Sequence, residues 1–180
     1  MAEAALAYGM DEIWFMPSSI SYLKEGTGVL DAQKRLEMVR LATKDNKQYQ
    51  VSTIEIDRGG NTYTYETMEG LKERYPNEQF YFLLGADSVF ALSSWKCPER
   101  LFKACEFLAV IRDDMGQWAL LEKITELKAR FSAVIHIVPM PSVDVASTEI
   151  RSFYQNGGKH HRDVLPQVDE YILSNHLYVE

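Results

Sequence analysis

Short apolar runs alternate with longer amphipathic stretches along the 180 residues of the chain. The apolar runs predict strands at 11–16, 50–56, 80–85, 106–111 and 133–138. The amphipathic stretches predict helices at 1–9, 31–44, 64–74, 98–104, 117–131 and 166–174, with two more starting near Asp87 and Ser147. Because this alternation is typical of βαβ units, the predicted fold class is α/β with a mostly parallel sheet. The whole chain is predicted to form one domain, with residues 147–180 as its C-terminal helical part.

The stretch FYFLLGADSVFALSSW, residues 80–95, is predicted to be the centre of this fold. Its apolar run predicts a strand buried on both faces of the sheet. Gly85 follows that strand, and a residue without a Cβ lets the backbone turn and come close to a ligand. Since ligands of open α/β folds bind at the carboxyl ends of the strands, we expect a binding site at this turn.

Composition and charge narrow the class of protein. A hydrophobic fraction of 46% and a charged fraction of 25% are ordinary for a globular domain. The formal net charge of -7, without a long run of Lys or Arg, argues against a general nucleic-acid surface. Cys97 and Cys105 lack the spacing of a zinc site and are predicted to be reduced thiols. No apolar run has the length of a membrane span, so we expect a cytoplasmic protein.

Two segments are candidates for binding an anion. Ser147 is predicted to cap a helix whose first N–H groups can hold a phosphate, with Arg151 one turn further on. The segment TYTYET, residues 62–67, follows two glycines and also predicts a helix N-terminus, with Thr64 as its cap. Each has a plainer interpretation, an ordinary capped helix with a surface arginine and a β-turn with its N-cap, and each is at least as common.

Three single residues are further candidates for a nucleotide site. Trp95 can stack on a flat ring, although a core tryptophan is about equally expected. Asp87 can accept hydrogen bonds from ribose hydroxyls, or it can cap its own helix. Lys24 lies in a Ser- and Gly-rich loop and can approach a polyphosphate, although most loop lysines are merely solvated.

The order of these motifs is more specific than any one of them. EIWFMP, the lysine loop, RLEM, NTYTYET, FYFLLGADSVFALSSW and DVASTEIR together resemble the bacterial nicotinate mononucleotide adenylyltransferases of the HxGH nucleotidyltransferase superfamily. LPQVDEYILSNHLY is similar to the closing helix of that family, so the resemblance covers nearly the whole chain. It implies a Rossmann-like nucleotidyltransferase fold and transfer of an adenylyl group from ATP to nicotinate mononucleotide, with Mg²⁺, giving deamido-NAD and pyrophosphate.

The resemblance also implies a role for each candidate residue. Catalysis in such a family consists mostly of positioning and of charge neutralisation around the α-phosphate, without a covalent intermediate. The implied contacts are with the pyridine ring for Trp95, with the nicotinate end for Tyr63, Thr64 and Tyr65, with the adenosine ribose for Gly85 and Asp87, and with the ATP phosphates for Ser147, Thr148, Arg151 and Lys24.

The sequence departs from the family pattern in two places. The P-P-H-K loop of the family is here SYLK, which keeps Lys24 and loses the histidine. The opening strand and the H-x-G-H signature, whose histidines bind the ATP phosphates, are absent from the sequence. We therefore expect the chain to be N-terminally truncated, without a strand between those at 11–16 and 80–85.

Two other functions remain open. Without the signature histidines, the chain is also compatible with a non-catalytic, nucleotide-binding remnant. A sister nucleotidyltransferase such as phosphopantetheine adenylyltransferase is disfavoured, because TYTYET and Trp95 suit a pyridine ring better than a flexible thiol arm.

Overall fold

The computed structural model describes residues 1–20, 30–112, 117–141, 143 and 145–179. These residues form five strands, nine helices and one 3-10 turn. In chain order they are α1 (Ala2–Tyr8), β1 (Ile13–Phe15), α2 (Ala32–Thr43), β2 (Tyr49–Val51), α3 (Ile54–Arg58), α4 (Thr64–Arg74), β3 (Tyr81–Gly85), α5 (Ala86–Ala91), the 3-10 turn Leu92–Ser94, α6 (Pro98–Ala104), β4 (Glu106–Arg112), α7 (Gln117–Phe131), β5 (Ile135–Met140), α8 (Ser147–Gln155) and α9 (Pro166–Ser174).

The chain divides into two compact units. The first unit consists of Met1–Ile13 and Thr62–Ser142, and the second of Trp14–Asn61 and Val143–Glu180. Each unit contains both strands and helices, so the α/β class predicted from the sequence is confirmed. The prediction of one domain with a C-terminal helical part stays a prediction.

A parallel three-stranded sheet forms the centre of the first unit, in the order β3-β4-β5. Gly85 pairs with Val110, and Val110 pairs with Val138, so the three strands run side by side toward one carboxyl edge. The inner strand is β4, where Phe107, Leu108, Ala109 and Val110 are all buried.

The prediction that the strand at 80–85 is buried on both faces is wrong. In β3 only Leu84 is buried, and its other residues are half-buried. The reason is position in the sheet, because β4 has a neighbour on each side, whereas β3 pairs with β4 alone in the part of the chain described. This strand therefore lies beside β4, the central strand of the three.

Helices pack on this sheet and on one another. Gly9 ends α1 in the left-handed region, with φ of 115°, as a C-cap glycine does. Ala5 of α1 then packs with Leu108, Val110 and Val138 of the sheet. Among the helices that follow, α4 packs against α6 and α5 against α7.

The second unit contains β2, the part of β1 from Trp14 onward and a small helical core. Asp31 caps α2 as predicted, since its carboxylate accepts from the Gln33 N–H at 2.8 Å. Helix α2 packs on α9, and the Gln167 side chain donates to the Leu41 carbonyl at 3.2 Å. Tyr154 and Ile172 form the centre of this core.

The strand predicted at 50–56 is only partly correct. It ends at Val51, and Ile54–Arg58 forms the short helix α3 instead. The Asp57 N–H donates to the Thr53 carbonyl at 2.8 Å, and the Thr53 hydroxyl donates to the Asp57 carboxylate at 2.7 Å. These local hydrogen bonds, made between residues four apart, favour one helical turn over the strand predicted from the apolar run.

Candidate functional site

The turn at the carboxyl end of β3 carries the two residues predicted to meet a ribose. Strand β3 ends at Gly85, and α5 begins at Ala86, so Asp87 lies in the first turn of α5. Asp87 is exposed, and the N-cap of α5 is Gly85, so Asp87 does not cap its own helix. Its carboxylate is therefore open to a ligand at the edge where α/β folds bind nucleotides.

Gly85 itself is not required by the local backbone. Its φ of -76° and ψ of 154° are extended values that any residue adopts, so the predicted sharp turn is wrong in its detail. A Cβ built at Gly85 has no heavy atom within 4 Å, so the described protein leaves this space open. Neither backbone strain nor crowding therefore requires a glycine at this position.

Trp95 follows the 3-10 turn and is half-buried. Its N–H donates to the Leu92 carbonyl at 3.2 Å, which fixes the backbone at this point. Its ring stands edge-on to Phe82 of β3, with centroids 5.8 Å apart and planes at 89°. The indole is thus anchored on the sheet by one contact and keeps accessible surface for another ring.

The segment that leads into α4 contains an unusual hydroxyl. The Thr62 Oγ1 atom is buried and lacks a hydrogen-bond partner within the described residues. Thr64 was predicted to cap α4, but the N-cap is Tyr63, which has no side-chain cap hydrogen bond, and Thr64 is the first helical residue. An unpartnered donor beside an uncapped helix N-terminus is an arrangement that suits a carboxylate or phosphate.

Tyr65 makes polar and ring contacts with its neighbours. It is buried, its hydroxyl donates to the Glu66 carboxylate at 2.9 Å, and its ring lies 6.2 Å from that of Tyr63. The hydrogen bond to Glu66, followed by burial, raises the pKa of Tyr65 to about 12. The Arg100 guanidinium lies over the same ring, 4.4 Å from its centroid.

The predicted phosphate residues at 147–151 lie on one helix of the second unit. Ser147 was predicted as the N-cap of α8, but that position is Ala146, which has no side-chain cap hydrogen bond. Ser147, Thr148 and Arg151 are exposed, and the Arg151 guanidinium donates to the Thr148 hydroxyl at 3.3 Å. A cation and two hydroxyls thus lie near uncapped backbone N–H groups.

Two groups of the second unit were missed by sequence reasoning. Arg35 donates to the carbonyl oxygens of Ser18, Ser19 and Leu30, at 2.9 Å in the case of Leu30. Asp169 is buried and accepts from the Tyr154 hydroxyl, and it lies 2.5 Å from the His160 imidazole. The sequence shows neither, since Arg35 is one more polar residue of an amphipathic helix, and a buried carboxylate has no local signature.

The predicted site residues fall in different parts of the chain. Those for the pyridine mononucleotide and the ribose all belong to the first unit, namely Tyr63, Thr64, Tyr65, Gly85, Asp87 and Trp95. Those for the phosphates belong to the second unit, namely Ser147, Thr148 and Arg151. Lys24 lies outside the described residues.

Similarity to known proteins identifies the family. The family model described as Cytidylyltransferase-like matches residues 1–153. A probable nicotinate-nucleotide adenylyltransferase of Lachnoclostridium phytofermentans is 35% identical over 99% of this chain and 90% of its own length. The nicotinate-nucleotide adenylyltransferase of Bacillus subtilis is 32% identical over 94% of this chain and 84% of its own length. The chain belongs to the nicotinate-nucleotide adenylyltransferase family.

Two solved structures are similar in fold to this chain. The nicotinic acid mononucleotide adenylyltransferase of Plasmodium falciparum complexed with NaAD superposes with a TM-score of 0.71, covering 94% of this chain and 83% of that chain. The same enzyme complexed with APC has a TM-score of 0.70. At 22% and 21% identity these likenesses concern the fold, and they confirm the nucleotidyltransferase architecture expected from the resemblance.

Two findings on the described residues concern metal ions and membranes. No group of three or more His, Cys, Asp or Glu side chains within them is arranged to hold a metal ion. Searched over the same residues, the chain has no helix that is both long and apolar enough to cross a membrane.

Proposed function

We propose that this adenylyltransferase-family chain binds ATP and nicotinate mononucleotide for adenylyl transfer, which yields deamido-NAD and pyrophosphate. The observation that carries the proposal is the 35% identity to a relative of that name over 99% of the chain. A match of that extent includes every segment proposed for the site, from the loop that contains Lys24 to the first turn of α8.

The acceptor nucleotide is assigned to the first unit. Trp95 is held on Phe82 and offers a surface on which a pyridine ring stacks. The uncapped N-terminus of α4 and the orphan Thr62 hydroxyl offer donors for the carboxylate of nicotinate. Tyr63, Thr64 and Tyr65 are the surrounding residues in this proposal.

ATP is assigned to two groups of residues. The open space at Gly85 and the exposed carboxylate of Asp87 suit the adenosine ribose. Ser147, Thr148 and Arg151 at the start of α8 suit the phosphates, and Lys24 is proposed as a further phosphate contact. Because Mg²⁺ is usually held by one or two carboxylates and by substrate phosphates, it would arrive with ATP.

The chemistry of this reaction needs positioning more than a reactive side chain. An oxygen of the mononucleotide phosphate forms a bond to the α-phosphorus of ATP, and the bond from that phosphorus to the pyrophosphate oxygen breaks. Arg151 would neutralise charge on the phosphates during this exchange, and its bond to Thr148 already directs it to the start of α8.

A second candidate function is nucleotide binding without turnover. The residues assigned above to the mononucleotide and to ATP are binding contacts, and none of them forms or breaks a bond. Such contacts can hold both nucleotides whether or not the transfer follows.

One pair of measurements separates the two candidates. The chain is incubated with ATP, nicotinate mononucleotide and Mg²⁺, and pyrophosphate release is followed by a coupled assay, while calorimetry measures the binding of each nucleotide. Binding of both with pyrophosphate release supports the adenylyltransferase. Binding without release supports the second candidate, and saturable binding of neither refutes both.

A further inference from the structure

An ion pair joins α4 and α6, the helices that follow the two parts of the proposed acceptor site. Arg100 of α6 makes two hydrogen bonds to the Glu69 carboxylate of α4, one through Nε at 2.9 Å and one through Nη2 at 2.5 Å. The same guanidinium lies over the Tyr65 ring, near the start of α4. Arg100 thus holds α4 by its charge and by its flat face, a combination that lysine does not reproduce.

Each residue of the pair lies close in sequence to one part of the acceptor site. Helix α4 begins at Thr64, five residues before Glu69. Helix α6 begins at Pro98 and is preceded by Trp95, and the backbone between them is fixed at Cys97, whose carbonyl accepts from the Arg100 N–H at 3.0 Å. The separation between the α4 N-terminus and the indole therefore depends on how α4 and α6 are held together, in addition to the Phe82 contact of the indole on β3.

The exposure of the pair argues that stability is not its main contribution. The Arg100 side chain is 56% exposed and that of Glu69 is 32% exposed. Ion pairs with so much solvent access contribute little to folding free energy. Their geometry is nevertheless well defined here, because two hydrogen bonds and a ring contact restrict the guanidinium.

We propose that Arg100 and Glu69 are positioning residues that set the distance between Trp95 and the N-terminus of α4, and so the affinity for the pyridine mononucleotide. The inference rests on the proposed acceptor site. Neither residue is assigned a contact with either nucleotide. Loss of the pair lets the two helices move relative to each other. This weakens the binding of the mononucleotide, which contacts both Trp95 and the α4 N-terminus, and leaves the affinity for ATP unchanged.

The test is calorimetry of nicotinate mononucleotide and of ATP with the full chain and its variants. Arg100→Gln is expected to weaken mononucleotide binding on the order of tenfold, the scale of coupling through residues that do not touch a ligand. Arg100→Lys keeps the charge but cannot make both hydrogen bonds in the same geometry, so we expect it to lose nearly as much affinity for the mononucleotide. Glu69→Gln should match Arg100→Gln, and the double variant should lose no more than either single variant, because one interaction is removed in all three.

Lys72→Gln is the matched control. Lys72 makes another α4–α6 contact, donating to the Lys103 carbonyl at 3.4 Å near the far end of α4, so its loss should leave mononucleotide binding unchanged. Wild-type affinity in folded Arg100→Gln and Glu69→Gln, or an equal loss for ATP, would overturn the inference. If the wild-type chain itself does not bind the mononucleotide, the proposed function fails first, and this inference fails with it.

Discussion

The buried hydrogen bond between Tyr154 and Asp169 predicts a measurable contribution to stability. Tyr154 is on α8, the helix that begins with the proposed phosphate residues, and Asp169 is on α9. Tyr154→Phe removes only the hydroxyl that donates to the Asp169 carboxylate. The change keeps the ring, its packing and the charge of the chain, so it isolates one interaction between the two helices.

The expected loss of stability in Tyr154→Phe follows from the burial of this hydrogen bond and from the charge of its acceptor. Tyr154 is 2% exposed and Asp169 is 3% exposed, so water cannot replace the lost donor. A hydrogen bond to a charged group contributes about 1.5–3 kcal/mol to the free energy of unfolding, and we expect a loss of about 2 kcal/mol. For a chain of this length such a loss lowers the melting temperature by roughly 4–8 °C.

The same network has a defined pH dependence. Burial alone would raise the pKa of Asp169, but the hydrogen bond from Tyr154 and the contact with His160 outweigh it and hold that pKa below its ordinary value. A lowered folded-state pKa stabilises the protein above the unfolded-state pKa, near 4, and this stabilisation is lost as the pH falls through the folded-state value. Asp169→Asn should therefore be less stable than wild type at pH 7, with a difference that shrinks below about pH 4.

The assay is thermal unfolding followed by circular dichroism at several pH values. Tyr171→Phe, a half-buried tyrosine of α9 outside this network, is the control and should change the melting temperature little. The Tyr154→Phe and Asp169→Asn double variant should lose less than the sum of the single losses. A melting temperature of Tyr154→Phe within 1 °C of wild type, or full additivity, would refute the reasoning.

Three further predictions concern other parts of the chain. Gly85→Ala should leave the melting temperature unchanged, because its Cβ meets no atom within 4 Å, yet weaken ATP binding measured by calorimetry; unchanged ATP affinity would remove Gly85 from the site. Arg151→Ala should weaken ATP binding at least fivefold while Arg162→Ala, a mostly exposed control, should not; equal effects would contradict the phosphate assignment. Burial raises the pKa of Cys105 to about 12, so mass spectrometry after iodoacetamide at pH 8 should find Cys97 alkylated and Cys105 protected until the chain is unfolded; rapid labelling of Cys105 in the native chain would be inconsistent with this.

Local signals in the sequence predicted most of the elements. The acid at Asp31 before an amphipathic run and the proline at Pro98 both mark helix starts that the structure confirms. Ser147 and Thr64 were each predicted as the N-cap of a helix, although each is the first helical residue. The choice between the two positions depends on backbone angles that the sequence does not show. The helix itself was predicted in both cases.

Contacts distant in sequence could not be predicted. Arg100 and Glu69 are 31 residues apart, and Tyr154 and Asp169 are 15 apart, and no pattern in the intervening residues selects either pair. The place of β3 beside the central strand was also missed, since an apolar run shows that a strand is buried but not which neighbours it has. Function was the better determined part, because the ordered motifs pointed to the family that the relatives show.

The central claim, a pyridine mononucleotide site at Trp95, is tested most directly by one matched pair of variants. Trp118 lies on α7 in the same unit and is 82% exposed, so Trp118→Ala controls for the loss of an indole. Calorimetry with nicotinate mononucleotide should show saturable one-to-one binding for wild type and Trp118→Ala. Trp95→Ala should bind about tenfold to a hundredfold more weakly, the range for loss of a stacked aromatic ring, with ATP affinity retained. Equal affinity in the three chains, or no saturable binding by wild type, would contradict the account.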